Sequence, residues 1–333
     1  MSTMSGDLKF DPKSNVILDP EALDDKESMP NQLDMKESVD FGNVQADENK
    51  VTVEKCYLSM PDGYKVHARY WKPPLSYGLK ALIFVSHGLG EHLEWYNELG
   101  MLLAEHGYLV FGHDHLGHGL SEGSRGYIQT FDTLVSHVMS HVSRIKMDNQ
   151  GVPCFIYGHS MGGNVALRAI LQNGGFFRGM VLEGPLIKVN DETITFPKFM
   201  LAQLANLIVP EFPTEQIPLD AVTSDLDTQQ QLRDDPLRYN QGIKVGTALA
   251  MLESLKIVGS ALSEIDIPFL TMHGKLDTLC MPRGSEDLHA RAKAQDKQII
   301  MFPNAKHHLI LEIEDVRNQA VAETLSWLEQ RCI

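Results

Sequence analysis

Apolar positions along the chain follow two different periods. Residues 51–58 and 64–71 alternate apolar and polar side chains on either side of Pro61-Asp62-Gly63. That is the period-two signature of half-buried strands joined by a tight turn, so an antiparallel hairpin is predicted. Short uninterrupted apolar runs follow at 81–86, 108–112, 154–158, 180–183, 268–273 and 298–302. Runs of that length without alternation suit strands covered on both faces. Between them the spacing changes to three and four. Phe131, Leu134, Val135, Val138, Val142 and Ile145 paint one side of a helix, and Val316, Ala320, Val321, Thr324, Leu325 and Leu328 do the same near the end. Strands alternating with helices predict an α/β fold, a mostly parallel sheet with helices on both faces.

One stretch interrupts that rhythm. Residues 186–265 hold no clear buried strand. They hold an apolar helix candidate at 199–209, a segment punctuated by Pro210, Pro213 and Pro218, and a second helix candidate at 243–258. A helical insertion projecting from the sheet is expected there. Residues 1–50 differ again, with twelve acidic and five basic residues and apolar side chains scattered without period. Such a segment cannot bury enough apolar area to offset its ordering entropy. It reads as an acidic extension outside the packed domain of residues 51–333, with a docking tail for a partner as the alternative.

Composition narrows the function. A formal charge of −15 offers no basic footprint for a phosphate backbone, which argues against nucleic acid as the main partner. Cys56, Cys154, Cys280 and Cys332 are never grouped and no Asn-x-Ser/Thr acceptor occurs, as expected of reduced thiols in a cytoplasmic protein. Neither a signal peptide nor an uninterrupted apolar membrane span is predicted, while contact with a membrane surface stays open.

The strongest chemical signal is Gly158-His159-Ser160-Met161-Gly162, which follows a strand-like run and opens a helix predicted over 164–171. A serine on such a sharp strand-to-helix turn stands above the sheet edge, and the flanking glycines permit the turn. A hydroxyl is a weak nucleophile and needs a base that is itself oriented by a carboxylate. In this context acid and histidine follow the serine in that order, each after a late strand. Asp277 follows the run ending at His273, and His307 and His308 follow the run ending at Phe302. Successive side chains point in different directions, so only one of the two histidines can face Ser160, and sequence order does not choose between them. Donors for the developing oxyanion are expected from the backbone N–H groups of Met161, after the nucleophile, and Leu89, in the His87-Gly88-Leu89-Gly90 turn after an earlier strand.

The run His113-Asp114-His115-Leu116-Gly117-His118 superficially resembles a hydrolytic metal cluster, but no matching ligand set lies elsewhere at recognisable spacing. No metal and no cofactor is expected, and the loop reads as polar groups satisfying neighbouring backbone. Phosphate-loop and dinucleotide fingerprints also fail.

The segments His87-Gly88-Leu89-Gly90-Glu91-His92, His113 to Gly123 and Gly158 to Gly163 resemble the motifs of monoacylglycerol lipases, within the serine α/β-hydrolases. The resemblance runs from Val51 to Cys332. It implies an α/β-hydrolase fold, Ser160 as nucleophile, Asp277 as acid, His307 rather than His308 as base, and Leu89 and Met161 as oxyanion donors. It also implies that 186–265 form a cap that walls an acyl tunnel and docks on membranes. The face carrying Phe199, Met200, Leu204, Leu207 and Ile208 would then lie among lipid headgroups, or else pack onto the core.

Two positions depart from the pattern. Trp95 and Ile310 stand where these lipases often carry an arginine and a second histidine that hold the glycerol headgroup. Glu91 is left as the candidate headgroup contact, and Cys280 as a thiol beside the site. The expected activity is release of a fatty acid and glycerol from a monoacylglycerol or related single-chain lipid ester through an acyl-enzyme. Lysophospholipase or general carboxylesterase activity is the alternative, and a non-catalytic lipid-binding or scaffold role is the rival from another class.

Overall fold

The computed structural model describes residues 49–190 and 196–332. The hairpin forms as predicted, from β1 (Thr52–Ser59) and β2 (Lys65–Lys72), paired antiparallel around Gly63 at φ 88°. Six further strands are β3 (Ala81–Ser86), β4 (Tyr108–His113), β5 (Cys154–His159), β6 (Gly179–Glu183), β7 (Phe269–Gly274) and β8 (Lys297–Phe302). They complete one eight-stranded sheet of order β1-β2-β4-β3-β5-β6-β7-β8, in which every pairing from β4 to β8 is parallel. The carboxyl ends of β3, β5, β6, β7 and β8 therefore meet at one edge, where open α/β sheets bind their ligands.

Alternation along these apolar strands sends side chains to two helical layers. Phe155 meets Trp327 edge to face at 5.9 Å, so one face rests on α9 (Glu314–Glu329), with α1 (Asn97–Glu105) beside it. Phe84 and Phe111 on the opposite face meet His141 of α2 (Phe131–Asp148) at 5.7 and 5.1 Å. The sequence pattern predicted α2 and α9. It missed α1, whose Gly100 lies directly against the Trp71 ring, where a Cβ would approach to 2.5 Å.

The insertion between β6 and β7 is helical, as expected. It comprises α4 (Phe196–Asn206), α5 (Leu219–Val222), α6 (Leu226–Asp234) and α7 (Val245–Ala261), and α4 and α7 pack on each other. The polar helix α6, capped by the Asp225 side chain on Thr228 N–H at 2.8 Å, carries no apolar stripe strong enough to be read from sequence. Val245–Glu264 is long and apolar enough, by length and composition, to cross a membrane, yet here it lies on α3 (Met161–Asn173) and α4 with Val245, Ala250 and Val258 buried. The helix predicted over 199–209 begins earlier and ends at Asn206. Its outer residues Met200, Leu201, Leu204, Leu207 and Ile208 face solvent, the last two at 82% and 83% exposure, instead of packing onto the core. Residues 1–48 of the predicted acidic extension, and the side chain of Phe199, lie outside the described residues.

Six buried histidines, His87, His113, His115, His118, His141 and His159, are held neutral because burial removes the water that would solvate a cation. For His118 and His141 burial lowers the pKa to about 3. Below the ordinary value near 6.5 the unfolded chain binds protons that these rings in the folded protein refuse, so stability is full above that pH and falls as acid is added. Each such ring contributes a loss of about 1.4 kcal/mol per pH unit. A fall in Tm of at least ~5 °C between pH 7.5 and pH 5 is expected by differential scanning calorimetry. A Tm that is flat across that window would contradict the neutral assignment.

Candidate active site

Ser160 is the sole non-glycine residue with positive φ among the described residues, at φ 52° and ψ −118°, between β5 and α3 (Met161–Asn173). Its neighbours explain how it stays there. Ser160 N–H donates to Glu183 O on β6 at 3.0 Å, while its carbonyl accepts from Gly163, Asn164 and Leu186 N–H. A Cβ on Gly162 would lie 2.0 Å from Ser86 O, and one on Gly158 would lie 2.6 Å from Gly162 O. These glycines therefore let the first turn of α3 press against the end of β3. That contact brings the Gly88-Leu89-Gly90 turn alongside the buried Met161, the arrangement in which two backbone donors can share one oxygen.

The residues after β7 and β8 meet at the same edge. His307 Nδ1 donates to Asp277 Oδ2 at 2.7 Å, and the same oxygen receives His273 Nε2 at 3.0 Å. Asp277 Oδ1 accepts from Leu279 and Cys280 N–H at 2.8 and 3.0 Å. Burial alone would raise the Asp277 pKa, but His307 and His273 outweigh it and hold the carboxyl well below the usual range. Asp277 is thus a fixed anion whose partner imidazole carries its proton on Nδ1 and leaves Nε2 free. Ser160 Oγ lies 3.8 Å from Cys280 Sγ and makes no hydrogen bond to His307 in this structure. Burial raises the Cys280 thiol well above its ordinary pKa, so it is a neutral neighbour of the serine.

The choice between the two histidines, open from sequence order, follows from these contacts. His308 turns the other way and donates from Nδ1 to Glu183 Oε1 at 2.9 Å. It stacks on His159 with ring centroids 3.7 Å apart and planes 17° apart. His159 in turn reaches Glu91 at 3.1 Å. Burial opposes charge on His308, yet Glu183 and Glu91 raise its pKa; burial likewise opposes charge on Glu183, whose carboxyl His308 brings down to about 2. His308 and Glu183 are therefore a buried ion pair. Glu183 Oε1 also accepts Ile310 N–H at 3.2 Å, and Tyr157 donates to Oε2.

Glu91, expected as a headgroup contact, is instead part of this buried layer. It accepts Gly88 N–H at 2.8 Å and the Tyr96 hydroxyl at 2.7 Å and faces both His159 and His308. Its oxygens are occupied by the protein, and they brace the Gly88 turn from beneath. Sequence reasoning gave Glu183 and His159 no role of their own and weighed His308 only as a rival base to His307; the one available signal was a glutamate closing an otherwise apolar strand. Trp95 is half-buried against the core and Ile310 is buried, so the one polar group of the two is the buried indole N–H of Trp95.

Among the described residues, Glu91, His159 and His308 also bring ligand-type atoms within 4.8 Å of one another. A metal is bound along the in-plane lone pair of an imidazole, and two rings stacked nearly parallel do not converge such lone pairs on one point. The trio fits an ion-pair relay. The 113–119 loop, the other metal candidate, is tied into backbone. Asp114 accepts Leu93 and Leu120 N–H at 2.8 and 2.9 Å, and His87 Nε2 accepts His115 N–H at 2.8 Å.

A strained serine turn and a carboxylate–imidazole pair at the carboxyl edge of this sheet define a serine hydrolase of the α/β-hydrolase class. Residues 78–314 match the family described as serine aminopeptidase, S33. The human monoglyceride lipase is 38% identical over 275 residues, which are 83% of this chain and 90% of that protein. The monkeypox virus monoglyceride lipase homolog is 33% identical over 83% of this chain and 98% of its own length. The chain belongs to the monoglyceride lipase family. In fold it superposes on the monoacylglycerol lipase of Paleococcus ferrophilus with a TM-score of 0.71, at 22% identity, covering 80% of this chain and 99% of that one.

Removing one partner of a buried ion pair strands the other charge, at a typical loss of ~3 kcal/mol or more. Glu183→Gln is therefore expected to lower Tm by roughly 6 °C or more in thermal unfolding. Adding His308→Leu should recover part of that loss. An unchanged Tm in the single variant would show that His308 is not charged against Glu183.

Proposed function

We propose that the chain hydrolyses monoacylglycerols to a fatty acid and glycerol, with Ser160 as nucleophile, His307 as base and Asp277 as the orienting acid. The observation that carries this reading is the 2.7 Å bond from His307 Nδ1 to Asp277 Oδ2, which fixes the tautomer and leaves Nε2 to act on a hydroxyl. Ser160 Oγ attacks the ester carbonyl as Nε2 takes its proton. The Leu89 and Met161 N–H groups hold the resulting oxyanion. The imidazolium, steadied by Asp277, returns the proton to the departing glycerol oxygen. Water then attacks the acyl-enzyme with His307 again accepting the proton, and the serine is regenerated as the fatty acid leaves. The named activity of the human and viral relatives supports the choice of substrate.

The insertion serves as the cap over this site and as its membrane contact. The exposed row Leu201, Leu204, Leu207 and Ile208, followed by Phe212 at 61% exposure, suits shallow insertion among headgroups. Four free cysteines accord with a cytoplasmic enzyme working peripherally on membranes.

Ser160→Ala is expected to abolish fatty acid release from a monoacylglycerol, by ~10⁴-fold or more, with thermal stability kept. His307→Ala should cost as much, and the double variant no more than either alone, because the two act as a unit. Activity surviving in Ser160→Ala would remove the mechanism, whereas a wild type that releases no fatty acid and is not labelled by a fluorophosphonate would favour a non-catalytic lipid-binding role. In co-sedimentation with phosphatidylcholine vesicles, Leu207→Asp combined with Ile208→Asp should reduce the bound fraction several-fold, since each apolar side chain contributes ~1.5–3 kcal/mol on burial. An undiminished bound fraction would move the membrane contact elsewhere.

A further inference from the structure

Within the insertion lies an open cavity of about 580 Å³ whose wall includes Ile217, Leu219, Arg233, Arg238 and Asn240. A narrow cleft of about 20 Å³ shares Ile217, Arg238 and Asn240 with it and extends to Leu89 and Gly90. The cavity therefore opens toward the turn that carries a proposed oxyanion donor. Arg238 stands at the junction of the two spaces, half-buried.

Arg238 combines partial burial with the lack of a protein counter-ion among the described residues. Arg69, Arg168 and Arg331 each reach a carboxylate, and Arg125 binds the carbonyls of Gly119 and Leu237. Arg238 and Arg233 make no hydrogen bond or ion pair among the described residues. Burial lowers the Arg238 pKa, opposed by the distant charges of Glu91 and Asp235. Those carboxylates are already engaged. Asp235 accepts His92 Nε2 at 2.7 Å and Leu237 N–H at 2.8 Å, and Glu91 accepts Gly88 N–H and the Tyr96 hydroxyl. In a chain of charge −15, a partly desolvated guanidinium left without a carboxylate is a site awaiting an anion.

The backbone around it is fixed. Tyr239 N–H donates to Gly90 O at 2.9 Å on one side, and Arg125 holds the Leu237 carbonyl on the other. Such fixation holds the Arg238 backbone beside the cleft before any ligand arrives.

We propose that this cavity receives the phosphate-bearing headgroup of a single-chain lipid ester, its phosphate held by Arg238 with Arg233 behind it. The ester carbonyl would lie at Ser160 between the Leu89 and Met161 N–H groups. A planar guanidinium offers two parallel donors to two phosphate oxygens, and a glycerol backbone places a phosphate only a few bonds from the ester. Such a substrate is cleaved as a monoacylglycerol is. Water is consumed, the acyl C–O bond breaks, and a fatty acid and glycerol phosphate leave. This inference rests on Ser160 being the nucleophile.

The test compares fatty acid release from 1-oleoyl lysophosphatidate and from 1-oleoylglycerol by the full chain, as wild type, Ser160→Ala, Arg238→Gln, Arg238→Lys and Arg233→Gln. The expected result is turnover of both lipids by the wild type, lost in Ser160→Ala. Arg238→Gln should lower kcat/KM on lysophosphatidate at least ~10-fold more than on 1-oleoylglycerol. Arg238→Lys should fall between, and Arg233→Gln should shift the ratio the same way by less. Equal losses on both lipids, or wild type that cleaves 1-oleoylglycerol alone, would overturn the headgroup site while leaving the hydrolase reading intact. Release from neither lipid would overturn both. Inorganic phosphate is the control for a free anion. If millimolar phosphate slows 1-oleoylglycerol turnover in the wild type but not in Arg238→Gln, and lysophosphatidate is not cleaved, the cavity binds free phosphate and the headgroup assignment falls.

Discussion

Ser160 holds a backbone conformation that L-residues avoid, at φ 52° and ψ −118°, and a departure of this kind typically costs about 1–3 kcal/mol. It persists because the serine's backbone is tied on both sides. Its N–H bonds to β6 and its carbonyl gathers three N–H groups, from Gly163, Asn164 and Leu186. The glycines at 158, 162 and 163 are consequences of the same constraint. A Cβ at Gly163 would meet Pro185 at 2.8 Å, so each glycine is where another backbone or ring must come close for the turn to be held. Sheet order follows too: the strands on either side of β5 must be β3 and β6, one supplying the turn with Leu89 and the other supplying the Glu183 carbonyl that anchors the serine.

The second organising feature is the separation of two acid–histidine pairs only one residue apart on one loop. His307 faces Asp277 and His308 faces Glu183. Asp277 has His273 and two backbone N–H groups as further donors, so its anionic form is over-determined and it serves a single imidazole at the edge open to the serine. Glu183 is buried beneath, where it shares His308, Ile310 N–H and Tyr157. Through the stacked ring of His159 this deeper pair reaches Glu91 and hence the Gly88 turn. Three segments that must keep register, the serine turn, the histidine loop and the oxyanion turn, are thereby joined by one buried polar layer. Its carboxylates are each bonded to a histidine or a backbone N–H, while His159 Nε2 and His308 Nε2 are buried without a hydrogen-bond partner among the described residues.

Much of this was legible in the sequence, for reasons that are local. Strand runs without alternation betray burial on both faces, and the GxSxG turn needs specific residues at fixed places, so β3 to β8 and Ser160 could be placed from pattern. Asp277 could be placed because the acid must follow a late strand. What pattern could not provide was direction. Whether His307 or His308 faces Asp277 depends on side-chain orientation at the end of β8, and the fate of Glu91 depends on His159, 68 residues away. The apolar face of α4 was equally ambiguous, since a stripe that packs on a core and one that meets lipid have the same spacing.

The insertion carries both halves of the amphipathic problem that a single-chain lipid ester poses. One part of it exposes Leu201, Leu204, Leu207 and Ile208, while another holds Arg233, Arg238 and Asn240 around an open cavity. At 95 and 310 the sheet edge carries only a buried indole N–H and an aliphatic side chain. Polar recognition of the headgroup, as proposed, comes from the insertion, through Arg238. On the proposed reading, hydrolytic chemistry belongs to the sheet edge and headgroup choice to the insertion. Substitutions at Arg238 then alter which ester is cleaved without altering how it is cleaved. That division follows from where charge sits around the site: the acids near Ser160 are each matched by a histidine, and Arg238, beside Leu89 in the cleft, is without a protein partner among the described residues.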